Sequence, residues 1–95
     1  MSGFFRKKPV TVEAMRWIGG PFECLNSFCG LNWGRADAHE VDWQFPDDKE
    51  QVVIWNALEK QWLCCPKGHW IIRGFKGELY PCEPSVFEAT YEAVA

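Results

Sequence analysis

Six tryptophans fall within 95 residues, at positions 17, 33, 43, 55, 62 and 70. An indole is costly to leave in water, and its N–H needs an acceptor when buried. So rich a set in so short a chain leaves two outcomes. Either the small core is unusually aromatic, or a core is accompanied by a surface on which rings are offered for contact. A chain of this length makes one small domain, residues 1–95, and such a domain buries only about 60–65% of the surface its unfolded form exposes. Part of the apolar content is therefore expected at an interface, since small domains often stabilise themselves by association.

The chain is 47% hydrophobic and 24% charged, a globular rather than a disordered composition. Its net charge of -3 argues against a nonspecific nucleic-acid binder, which needs a basic patch. Five cysteines, at 24, 29, 64, 65 and 82, form an odd set. The leading Phe4-Phe5-Arg6-Lys7-Lys8 is basic but is not followed by the apolar stretch of a signal peptide. No apolar run approaches the roughly 20 residues that span a bilayer. Reduced thiols in a cytoplasm, without membrane association, are the expected setting.

Along the chain, Pro9 to Trp17 reads as a first strand ended by Gly19-Gly20. Pro21 suits the first position of a helix carrying Phe22, Leu25 and Phe28 on one face and closed by Gly30. Asn32 to Ala38 reads as loop, His39 to Phe45 as a weakly alternating strand, and residues 46–49 as a turn. Strands are expected over 51–56, 61–65, 70–73 and 78–80, with turns at Gly68, Gly74 and Gly77 able to accept positive φ. The tail suggests one helical turn over 84–88 and then a strand over 89–94, the alternative being a continuous helix over 84–93. The class expected is α+β: a mainly antiparallel sheet of five to six strands, one principal helix and a short C-terminal helical turn. That helix should bury Phe22, Leu25 and Phe28 against a sheet face containing Val53 and Ile72.

Two segments carry a resemblance. The first is Arg6-Lys7-Lys8-Pro9-Val10-Thr11-Val12-Glu13-Ala14, with Trp17 close behind. The second is the run from Gly68 to Cys82, followed by Pro84, Phe87 and Thr90-Tyr91-Glu92. Together they resemble small, mostly uncharacterised proteins encoded by tailed phages and prophages, notably of actinobacteria. The group's Gly-Asp-Trp turn is Gly68-His69-Trp70 in this chain, so no carboxylate role carries over there. The resemblance implies a phage context and a host-cytoplasmic accessory role, such as interference with host defence or metabolism.

Catalytic and metal signatures are weak. Cys64 and Cys65 are adjacent, so on a strand they point to opposite faces and cannot easily share one tetrahedral ion. Cys24-x₄-Cys29 misses the usual zinc spacing. No local motif pairs a thiol with His39 or His69. The acidic residues between Asp37 and Glu50 match neither a calcium loop nor a paired-acid site, and read as a solvated face or an acidic surface for a basic partner. No cofactor, no metal and no catalytic residue is assigned.

The aromatics carry the functional expectation. Trp43, Trp55 and Trp70 share strand faces with apolar neighbours and read as core. Trp17, Trp33 and Trp62 read as the exposed indoles, and Arg16, Arg35, Arg73 and Lys76 as cations near them. Trp17, Trp33, Arg35, Trp62, Arg73 and Lys76 are thus the candidate ligand- or partner-binding residues. Tryptophan and arginine are enriched at the energetic centres of protein interfaces. A noncatalytic module that binds a host protein or self-assembles into a homo-oligomer is the leading expectation. The alternatives are sequestration of a small nucleotide, with an indole on the base and a cation on the phosphate, and a minor virion structural component.

Overall fold

The computed structural model describes residues 2–6, 8–35 and 50–94. Eight elements follow in chain order: β1 (Glu13–Arg16), α1 (Glu23–Cys29), β2 (Trp33–Arg35), β3 (Val52–Asn56), β4 (Gln61–Cys65), β5 (Trp70–Arg73), β6 (Leu79–Cys82) and α2 (Pro84–Thr90). The fold is α+β with six strands and two helices. The strands form two antiparallel three-stranded sheets, ordered β1-β5-β6 and β2-β3-β4, where the sequence suggested one.

The break lies between β4 and β5. Instead of closing a hairpin, the connecting residues bond to the end of β1: the Trp17 amide donates to the His69 carbonyl at 2.9 Å, and Arg16 Nε to the Gly68 carbonyl at 2.8 Å. This draws β5 against β1, with Glu13 opposite Arg73 and Arg16 opposite Trp70. The sheets meet where Asn56, buried at the end of β3, donates through Nδ2 to the Leu79 carbonyl of β6 at 3.0 Å. Its Oδ1 accepts the Glu59 amide at 2.7 Å and shapes the turn into β4.

One core joins both sheets and α1. Trp17, Leu25, Cys29, Val52, Ile54, Cys65, Ile71 and Leu79 form it, with Met15, Phe28 and Trp33 packed at its edge. The strand face under α1 therefore carries Val52, Ile54 and Ile71, the parity opposite to the expected Val53 and Ile72. Those two are also fully buried, but alternation places them on the reverse faces. Leu25 is buried as expected, whereas Phe22 remains 38% exposed at the cap of α1. Gly30 ends this helix with φ 62°, a conformation that disfavours residues with a Cβ.

Three other expectations change. The first strand is shorter than 9–17, because only Glu13–Arg16 find partners on β5 and Pro9 has no amide to donate. Trp33–Arg35, expected as loop, are a strand because β3 supplies a ladder for them, Trp33 lying opposite Ile54. The final strand over 89–94 is absent: α2 runs from Pro84 to Thr90, closer to the helical alternative. Phe87 and Tyr91 are four apart, and helical winding brings both rings to one side, where they touch. The expected strand and turn over 39–49, Trp43 and His39 among them, lie outside the described residues.

Candidate functional site

The reverse face of the first sheet builds a concave feature. Ala14, Ile72 and Tyr80 lie side by side across β1, β5 and β6, and Arg16, Trp70 and Cys82 form the next row. Directly after β6, Pro84 occupies the first turn of α2, where its missing amide proton is not needed. The helix folds back over this face. Its Phe87 ring stacks on Trp70 at 4.0 Å between centroids and 8° between planes, and Tyr91 leans on Phe87 at 5.1 Å. The Tyr80 phenol is pushed well above its ordinary range, chiefly by burial and then by its hydrogen bond with Tyr91.

Between this aromatic floor, the segment Lys8–Val12 and the stretch Thr90–Val94 runs an open groove of about 850 Å³. Five of its lining residues are aromatic: Trp70, Phe75, Tyr80, Phe87 and Tyr91. Its charged lining residues are Lys8, Glu78 and Glu92, and no arginine is among them. Phe75, at the tip of the β5–β6 turn, is 85% exposed. Trp70 Nε1 is buried with no hydrogen-bond acceptor among the described residues. A donor left in that state costs about 1–3 kcal/mol.

The residues singled out from sequence do not converge there. Trp17, expected at the surface, is 1% exposed and donates its indole N–H to the Glu50 carbonyl at 2.7 Å. It lies one residue past β1, where the chain leaves the sheet and turns its ring inward beneath Phe22. Trp33 and Arg35 do share a site, because alternation puts both on one face of β2. Phe22 stacks between Trp17 and Trp33, at 5.7 and 5.5 Å, and the Arg35 guanidinium sits 5.1 Å from the Phe22 centroid. The indole N–H of Trp33 is bound to Asn26 Oδ1 at 2.9 Å. Trp62 is elsewhere, half-buried on β4 and tilted against its cross-strand partner Trp55 at 5.4 Å. Trp55 and Trp70, expected in the core, are also only half-buried, though Val53 and Ile72 on their faces are fully enclosed.

Arg73 is held by the fold itself. Its guanidinium pairs with Glu13 at 3.2 Å, donates to the Phe28 carbonyl and covers the Phe28 ring at 4.7 Å, tying β5, β1 and α1 together. Lys76 lies exposed in the β5–β6 turn, where its amide donates to Glu78 Oε2 at 2.9 Å. That carboxylate folds over Gly74, where any side chain would collide with it. A Cβ at Gly74 would therefore have to push that flexible carboxylate aside, whereas Gly68 and Gly77 do take the positive φ expected of them.

Among the described residues no group of three histidine, cysteine or acidic side chains is placed to hold a metal ion. No disulfide joins the cysteines. The buried Cys29 thiol is pushed up to about 11 by desolvation, partly offset by the charge of Arg73, so it is a poor nucleophile at neutral pH. Among the same residues no helix is long and apolar enough to cross a membrane.

Sequence reasoning overlooked the groove because its rings were counted as core or as a strand. The legible signal was the i, i+4 spacing of Phe87 and Tyr91, which on a helix presents one aromatic face. The groove also brings together residues from the two ends of the described chain, Lys8–Val12 from one and Trp70 with Tyr91 from the other. The chain matches no family model, no curated protein and no solved structure.

Proposed function

We propose that the protein is a noncatalytic binding module, of the accessory kind its phage resemblance implies, which holds an extended segment of a protein chain in the aromatic groove over β1, β5 and β6. The observation that carries this reading is the floor of the groove: five aromatic residues line a trough open to solvent, with two carboxylates against one ammonium. Aromatic side chains offer large rigid area at low entropy cost and dominate protein interfaces. The charge balance favours a segment bearing basic residues beside apolar ones.

The geometry favours this over nucleotide capture. A phosphate-binding pocket needs convergent cations at its aromatic wall, and three of the four arginines serve other contacts: Arg16 on Gly68, Arg73 on Glu13 and Phe28, Arg35 on Phe22. The test follows the Trp70 indole resonance in ¹⁵N-labelled protein during titration with short aromatic–basic peptides and with acidic counterparts of the same length. The basic set should shift Trp70 and the residues of α2, the acidic set much less. Silence of that resonance with every peptide, in protein whose groove is free, would end the proposal.

A further inference from the structure

Phe4 and Phe5 are 106% and 93% exposed, the most solvated pair of large apolar side chains in the described structure. They stand side by side ahead of β1 and are followed by Arg6, Lys7 and Lys8. Two adjacent phenyl rings left in water beside a basic run match what the groove lacks: apolar groups for its aromatic floor and positive charge for Glu78 and Glu92. Resting on the groove reading above, we propose that the occupant is this segment from a second copy of the chain, exchanged reciprocally so that two copies form a symmetric dimer.

The local backbone sets the direction of exchange. Lys8–Val12 already form one wall of the chain's own groove. Pro9 holds the following turn of chain at fixed φ and restrains Lys8 to extended conformations. Phe4 and Phe5 are not among the residues that line the chain's own groove, and both stay in water. Only Arg6 and Lys7 lie between Phe5 and Lys8, three Cα–Cα steps that span at most about 11 Å. A two-fold axis lets each copy's segment enter the other's trough with the same contacts made twice. Arg6 then faces the carboxylates while the two rings meet Trp70, Phe87 and Tyr91.

Light scattering behind gel filtration and sedimentation velocity test this on the full chain. The wild type should be a dimer, and F4A/F5A a folded monomer with an unchanged far-UV spectrum. The double variant should lose at least about 100-fold in dimer affinity, because each buried ring is worth more than a factor of ten. Glu92→Lys, an exposed change at the rim, should weaken the dimer, and combining it with Arg6→Glu should restore part of the loss. A synthetic peptide of residues 2–12 titrated into F4A/F5A should shift the Trp70 indole, and a scrambled peptide should not. A monomeric wild type, or an F4A/F5A dimer of unchanged affinity, overturns the exchange. If the chain is monomeric while unrelated aromatic–basic peptides still shift Trp70, the second copy is wrong and the groove reading stands. If no peptide shifts Trp70 in folded F4A/F5A, whose groove no partner segment fills, both fall.

Discussion

Removing the Trp17 ring is the sharpest test of where the aromatic content goes. Trp17 is 1% exposed, touches the α1 cap through Phe22 and donates to the Glu50 carbonyl across the core. A buried indole removes roughly 150–250 Å² from water, which at about 25 cal/mol per Å² amounts to about 4–6 kcal/mol as an upper estimate. Alanine retains a little of this, and Trp→Ala changes in cores lose about 3–5 kcal/mol. The Glu50 side of the hydrogen bond lies at the surface, so water takes up that carbonyl and adds little to the loss. Trp17→Ala should therefore remove about 3–5 kcal/mol, a large part of the roughly 5–14 kcal/mol available to a domain this size. Trp55→Ala, at a half-buried ring on the edge pair with Trp62, should remove about 1–3 kcal/mol on the same area argument. Urea denaturation followed by far-UV circular dichroism reads both without depending on indole emission, and unchanged m-values would show that the comparison is of stability alone. A loss below about 1 kcal/mol for Trp17→Ala, or one no larger than for Trp55→Ala, would refute the assignment of Trp17 to the core.

Three further outcomes follow from particular contacts. Arg73→Lys keeps the charge but loses the fork that reaches Glu13 and the Phe28 carbonyl together, and should destabilise by about 1–2 kcal/mol. Glu13→Gln, at the exposed end of the pair, should cost less than about 0.5 kcal/mol by denaturation, and equal losses would show that the ion pair rather than the Phe28 contacts matters. The Cys29 thiol keeps its proton up to about 11 when folded, against an ordinary value of 9.0; the unfolded thiol ionises first, so stability falls as pH rises from about 9 to about 11. Cys29→Ala should flatten that slope in denaturation series against pH, and a thiol reagent near neutral pH should label the exposed Cys24 well before Cys29. Gly74→Ala must displace the Glu78 carboxylate from the turn and lose the cap on the Lys76 amide, lowering stability by about 1–2 kcal/mol. In an E78A background the same change should cost much less, and an additive double-mutant cycle would disprove the contact.

Much of the fold was legible locally. The helix from Glu23 to Cys29 was readable from the spacing of Phe22, Leu25 and Phe28 and from Gly30, because capping and helical period are properties of neighbours along the chain. The strands over 52–56, 61–65 and 70–73 declared themselves through short apolar runs between turn residues. The same local signals misled at the tail, where Phe87 to Val94 satisfies an alternating pattern and a helical one together. Packing on Trp70 resolved that ambiguity in favour of helix.

The chain by itself determined the α+β class, the sites of most turns and the excess of aromatic rings, since these depend on composition and on contacts a few residues apart. Tertiary structure alone decided which indole is enclosed, that the strands divide into two sheets, and that Trp70, Phe87 and Tyr91 meet beside Lys8–Val12. The physical reason is that burial and concavity belong to pairs of residues far apart in sequence. Trp17 and Glu50, or Arg73 and Phe28, acquire their roles only when non-local strand pairing brings them together, and periodicity along a single segment carries no record of that pairing.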